Sequence, residues 1–273
     1  MQLFRSIGLG VASFVQWLAF AAWSFFWMSG AILYGWLTPG NPNGPLSWAR
    51  RFWGPGCATI ARANLVLHPG FEPQAGMPYI FMMNHQSMFD IVAAFVLIKI
   101  NLRFIAKRIL KSIPFLGWYM SVTGMVFIDR RDRKSAVESL DEACRKIREH
   151  GISILVYPEG TRSATGEILP LKKGPFVMAI QAGVPIVPVA VEGSGYVLGR
   201  DSGRLRPGTV HLKVGEPIET AGLTMADRDV LMRRVRDRLI DLHLEIGGKG
   251  GDRTKAISLE GREGISSYSL PTV

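Results

Sequence analysis

Residues 78–98 read PYIFMMNHQSMFDIVAAFVLI. The run PYIFMM (78–83) is short, apolar and bounded by Pro78 and Asn84, which predicts a strand, and FDIVAAFVLI predicts a helix over 89–98. Between them stand His85 and Asp90. Five residues of helix rotate about 140°, so the two side chains would not share a face if both were helical. They meet if His85 lies in the turn and Asp90 in the first helical turn. Four further runs look like strands: GMVFI (124–128), ISILVYP (152–158), PIVPVAV (185–191) and TVHLKVG (209–215). Helices are expected between and after them, at Ala106 to Lys111, Ser135 to His150, Pro175 to Ala182 and Met225 to Ile246. Such alternation predicts an α/β fold, with a central mixed β-sheet flanked by helices.

Outward from this region the chain changes character. No charged side chain occurs from Ser6 to Ala49. A bilayer core of ~30 Å takes roughly 20 helical residues, so Ile7 to Leu37 is long enough for membrane insertion and too long for a signal-peptide core. Trp17, Trp23, Trp27, Tyr34 and Trp36 include candidate interfacial anchors. The turn-rich TPGNPNGP (38–45) ends the segment. Arg50 and Arg51 follow it, against Arg5 alone before it, which places the main body on the cytoplasmic side of the cell membrane. The expected organisation is a membrane-inserted helix or hairpin over 1–45, an interfacial amphipathic connector over 46–77, an α/β domain over 78–246 and a mobile Gly- and Ser-rich tail over 247–273.

The 273 residues carry a formal charge of +10 beside 48% apolar residues. That balance fits an anionic membrane surface or anionic substrate and argues against nucleic acid, whose ligands have basic residues without such a leader. Cys57 and Cys144 lack metal-type spacing and form no disulfide framework. No cluster suggests a metal site.

Three stretches can carry chemistry. In the first, a carboxylate from Asp90 on one imidazole nitrogen of His85 would leave the other nitrogen as a base. Asn84 and Ser87 would satisfy loose backbone groups nearby. Read in isolation, the pair also fits a capping arrangement. In the second, YPEGTRS (157–163), Gly160 lets backbone N–H groups approach an anion, and Thr161 and Arg162 add donors. Glu159 would hold Arg162 or another cation, and LKKG (171–174) adds two ammonium groups. In the third, GMVFIDRRDRKS (124–135), Arg130 sits directly off a strand end, where open α/β sheets collect ligands. The segment LRFIAKRILKSIPFLGWYM (102–120) reads as a membrane-facing helix with snorkelling Lys107, Arg108 and Lys111, with burial against the domain as the rival reading.

Taken in order, NHQSMFD, GMVFIDR, PEGTRS and VPIVPV (184–189) resemble the four sequence blocks of the glycerolipid acyltransferase superfamily. Within it they are most similar to the 1-acyl-sn-glycerol-3-phosphate acyltransferases, which make phosphatidic acid. The resemblance covers roughly Pro78 to Pro217. It implies that His85 and Asp90 are the catalytic H-x-x-x-x-D pair and that Arg130 is the arginine of the second block. Glu159, Gly160, Thr161 and Arg162 match the E-G-T-R block that binds the acceptor's phosphate. Apart from the resemblance, Asn84, Ser87 and Lys107 are expected as supporting residues. The implied substrates are lysophosphatidic acid and an acyl-CoA or acyl carrier protein thioester, with no cofactor. Alternatives are another lysolipid acceptor, such as a lyso-ornithine lipid, a serine lipid hydrolase using Ser87, and a non-catalytic membrane-binding protein.

Overall fold

The computed structural model of the chain describes residues 2–128 and 133–255. Helix α1 (Gln2–Leu37) is followed by α2 (Asn43–Trp48), a π-helical turn at Ala49–Trp53 and α3 (Gly54–Ala61). Then come β1 (Ala63–His68), β2 (Ile80–Met83), α4 (Asp90–Leu97), β3 (Leu102–Lys107), a 3-10 turn at Arg108–Ser112, α5 (Leu116–Val122) and β4 (Val126–Ile128). The chain continues through α6 (Arg133–His150), β5 (Ser153–Val156), α7 (Gly174–Ala182), β6 (Ile186–Glu192), α8 (Ser194–Val197), β7 (Gly208–Val214) and α9 (Arg228–Glu245).

Among the described residues the strands form one seven-stranded sheet in the order β1-β7-β6-β2-β5-β3-β4. Every pairing is parallel except β6 with β7. The C-terminal ends of β2, β3, β4, β5 and β6 therefore share one edge, and the turns that follow them converge there. Strands β2 and β5 are buried along their whole length, as parallel strands covered on both faces should be. Phe81, Met83, Leu155, Val187 and Val189 point to a core shared with α3 and α4, while Ile80, Met82, Ile154, Val156 and Ile186 point to one shared with α6, α7 and α9.

Two stretches differ from the sequence reading. Residues 102–107, expected as part of a membrane-facing helix, form β3. Leu102, Arg103 and Phe104 are all buried there, and Arg103 donates to Asn43 Oδ1 at 2.5 Å, so this cation is satisfied inside the protein. Lys107 ends the strand, exposed. Residues 46–77, expected as a connector, supply α3 and an edge strand, β1, which pairs with β7. Of the stretch 247–273, expected as a mobile tail, residues 247–255 are described, and Lys249 and Gly250 bond to Thr165 and Ile168 of the domain.

Helix α1 lies along the domain. Its Trp23 Nε1 donates to Trp53 O at 3.0 Å, and Trp53 Nε1 donates to Ser24 Oγ at 3.0 Å. Trp27 stacks on Phe52 with centroids 4.6 Å apart. Gly56 is the residue that permits this approach, since a Cβ there would collide with the Trp23 ring. The outward side shows Phe14, Val15, Leu18, Phe25, Phe26 and Leu33 to solvent. Within α1, Ala12–Leu37 is the one described segment long and apolar enough to cross a membrane.

Candidate active site

The turn after β2 is built as an extension of the sheet. Asn84 donates from Nδ2 to Val191 O at 2.9 Å and accepts the Val191 N–H on Oδ1 at 2.8 Å, so its side chain imitates a strand residue paired to β6. This holds the backbone just before His85. Asp90 opens α4, fully buried. Its Oδ2 accepts three hydrogen bonds: from His85 Nδ1 at 2.7 Å, Gln86 N at 2.9 Å and Ser87 N at 3.0 Å. The turn thus closes on one carboxylate oxygen, and a carboxylate there favours the His85 tautomer with its proton on Nδ1. Nε2 is left without a hydrogen-bond partner among the described residues, on a side chain 13% exposed. Against the imidazole face lies the Tyr157 ring, with centroids 3.8 Å apart and planes at 16°. The Tyr157 hydroxyl is buried and unpartnered among the described residues. Burial first, and the Asp90 charge second, push it well above the usual phenol range.

Ser87 is fully buried and committed to the turn. Its Oγ donates to Leu198 O at 2.6 Å and accepts the Phe89 N–H at 3.0 Å. Neither bond involves His85, and this geometry does not present a nucleophile.

The second stretch meets the first from β5. Gly160 turns the chain at φ +74, a left-handed conformation that glycine adopts without strain. Thr161 is exposed and Arg162 half-buried. Glu159 does not hold Arg162. Its Oε1 accepts the His85 N–H at 2.8 Å and its Oε2 the Leu169 N–H at 2.9 Å, and Ser163 N donates to His85 O at 2.7 Å. Glu159 is a buried brace between the two turns. Arg162 instead donates to Arg200 O at 3.0 Å, and Arg200 returns a bond to Arg162 O at 2.9 Å. Arg130 lies outside the described residues.

Burial dominates the Glu159 carboxyl and raises it from 4.5 to about 8, against the two backbone N–H bonds that lower it. A folded-state value above the unfolded one gives stability that is fully present below about pH 4.5 and lost as pH rises through about 8. Thermal melts of the wild type and Glu159→Gln between about pH 5 and about pH 9 should isolate this contribution, on the order of a few kcal/mol. The variant, neutral throughout, is expected to lack that part of the pH slope. Identical slopes would show that Glu159 does not titrate in this way.

The sequence reading passed over Gln86, Tyr157, Glu192 and His243. Glu192 ends β6 at the same sheet edge as His85 and Glu159, so the strand-end rule could have found it. His243 sits among apolar residues of α9, and nothing in its local sequence marks it.

The chain is similar to known proteins in sequence and in fold. A family profile described as Acyltransferase matches residues 66–192. The 1-acyl-sn-glycerol-3-phosphate acyltransferase of Saccharomyces cerevisiae is 37% identical over 180 residues, 65% of this chain and 59% of the yeast protein. The 1-acyl-sn-glycerol-3-phosphate acyltransferase alpha of Ovis aries is 32% identical over 191 residues, 69% of this chain and 67% of the sheep protein. The chain belongs to the 1-acyl-sn-glycerol-3-phosphate acyltransferase family. It spans about six-tenths of the length of the yeast relative. The crystal structure of the 1-acyl-sn-glycerophosphate (LPA) acyltransferase PlsC from Thermotoga maritima superposes with a TM-score of 0.73 at 27% identity, covering 86% of this chain and 94% of that one. The mixed sheet flanked by helices, predicted from alternating runs, is thus the family's fold in this chain.

Proposed function

We propose that the protein transfers an acyl chain from a thioester, acyl-CoA or acyl carrier protein, to the free hydroxyl of lysophosphatidic acid, giving phosphatidic acid. The observation that carries this is the 2.7 Å contact of His85 Nδ1 with a fully buried Asp90, which leaves Nε2 as the outward nitrogen. Nε2 takes the acceptor's hydroxyl proton as its oxygen attacks the thioester carbonyl carbon. The carbon–sulfur bond then breaks, and the imidazolium returns the proton to the departing thiolate. Asp90 stabilises the imidazolium in between. No acyl-enzyme forms, in keeping with the occupied hydroxyl of Ser87. The exposed apolar side of α1, continued by Ile109, Ile113 and Trp118, meets the lipid from which the acceptor comes. The domain packs along this helix, so an upright crossing would sink the packed face in hydrocarbon, and α1 is better placed lying in the membrane surface.

Arg162, with Thr161 and Gly160 beside it, anchors the phosphate, and Arg130 serves as the second cation that the family resemblance implies. The assay uses purified protein, lysophosphatidic acid or lyso-ornithine lipid as acceptor, and each donor in turn. Arg162→Ala should raise KM for lysophosphatidic acid about tenfold or more, the value of a charge-assisted hydrogen bond, with kcat within a few-fold. A lower kcat at unchanged KM removes Arg162 from phosphate binding, and equal turnover of the phosphate-free acceptor replaces lysophosphatidic acid as the substrate.

A further inference from the structure

A second imidazole–carboxylate pair lies behind the catalytic turn. Glu192 Oε2, at the end of β6, is 2.7 Å from His243 Nε2 and accepts from Gln86 Nε2 at 2.7 Å. His243 is completely buried on α9. Its other nitrogen, Nδ1, accepts the Gly250 N–H at 3.2 Å. Gly250 therefore sets the tautomer: the neutral ring carries its proton on Nε2 and donates to Glu192. Gln86 in turn is the residue whose backbone N–H bonds to Asp90 Oδ2. Burial works to raise the Glu192 carboxyl, and hydrogen bonds from His243 and Gln86 outweigh it, leaving it below the usual range.

The segment after α9 closes a second route to the same turn. Lys249 Nζ donates to Thr165 O at 2.7 Å, and Ile168 N donates to Gly250 O at 2.8 Å. The neighbouring Leu169 N–H is the one that holds Glu159, whose other oxygen holds His85 N. The glycines are required by this contact. A Cβ at Gly248 would collide with the His243 ring, and one at Gly251 would fall 2.7 Å from Ile168 O.

We propose that Glu192 and His243 are positioning residues for the acyl transfer: they clamp the Gln86 side chain so that its backbone N–H stays on Asp90, and the Gly248–Gly251 strap locks His243 into the tautomer this needs. The proposal rests on the reading of His85 as the base. Neither residue touches substrate. Both act through the orientation of the Asp90 carboxylate and the His85 ring, where small displacements are costly to rate.

The test uses the full chain in detergent micelles, labelled with ¹⁵N-histidine, with the His85 imidazole signals assigned by their loss in His85→Ala. Glu192→Ala and Gln86→Ala are expected to shift or broaden the His85 signals and lower kcat about tenfold, with KM for lysophosphatidic acid within about twofold. Glu192→Gln, which keeps an acceptor oxygen for Gln86 and His243, should restore both the signals and most of kcat. Gly248→Ala should behave as Glu192→Ala does. Unchanged His85 signals in Glu192→Ala and Gln86→Ala overturn the proposal, as does a fall in kcat that only follows loss of folded protein. If the wild type fails to acylate lysophosphatidic acid, the functional reading fails alone and the histidine spectra still decide the positioning role.

Discussion

His85→Ala should lower kcat for acyl transfer to lysophosphatidic acid by about 10²–10⁴, the range associated with a positioned general base, while KM for the acceptor stays within about twofold. The fold should tolerate the change. The bond that Glu159 Oε1 accepts comes from the backbone N–H of residue 85, and Asp90 Oδ2 keeps the N–H groups of Gln86 and Ser87. What is lost is the imidazole and its stacking on Tyr157, a cost to stability of about 1 kcal/mol. Circular dichroism and thermal melting separate the two effects. A well-folded variant that retains turnover within about tenfold would assign the proton transfer elsewhere.

That histidine and its aspartate were legible because chain-local rules govern them. The strand PYIFMM is bounded by the polar Asn84, a helix starts six residues after it at Asp90, and the spacing leaves one geometry in which the pair can meet. β5 and β6 were legible for the same reason, as short apolar runs between Gly and Pro. β3 was hidden because its cation looks like a surface residue. Arg103 lies in the segment read as a membrane-facing helix, and its partner Asn43 comes from a helix start 60 residues away. β1 was hidden behind Arg62, whose left-handed backbone, φ 57, ends α3 and sends the next residues into the sheet. The tail misled most instructively. Glycines in 247–251 read as mobility, but two of them are there because the strap touches His243 and Ile168 too closely for any side chain. Glu159 lies beside His85 but on other partners than the expected Arg162, since sequence shows a nearby arginine but not the two backbone N–H groups that capture a buried carboxyl.

Asp90→Asn should lower kcat by about 10², less than the about 10⁴ seen where an asparagine imposes the wrong histidine tautomer. Asp90 Oδ2 accepts two backbone N–H bonds besides the one from His85. In the variant those N–H groups select the amide oxygen for that position, because the amide nitrogen would face donors with a donor. The oxygen then still accepts from Nδ1, His85 keeps Nε2 free, and the loss is confined to the charge that stabilises the imidazolium. The amide nitrogen falls where Asp90 Oδ1 is buried without a partner among the described residues, which costs about 1–3 kcal/mol of stability. Asp90→Ala removes the acceptor from both buried N–H groups as well and should be both less stable and less active than Asp90→Asn. Steady-state kinetics with melting curves for the two variants decide the matter. A fall of about 10⁴ in a folded Asp90→Asn protein would mean that the amide flips, and that the backbone of Gln86 and Ser87 does not govern the orientation of the residue that orients the base.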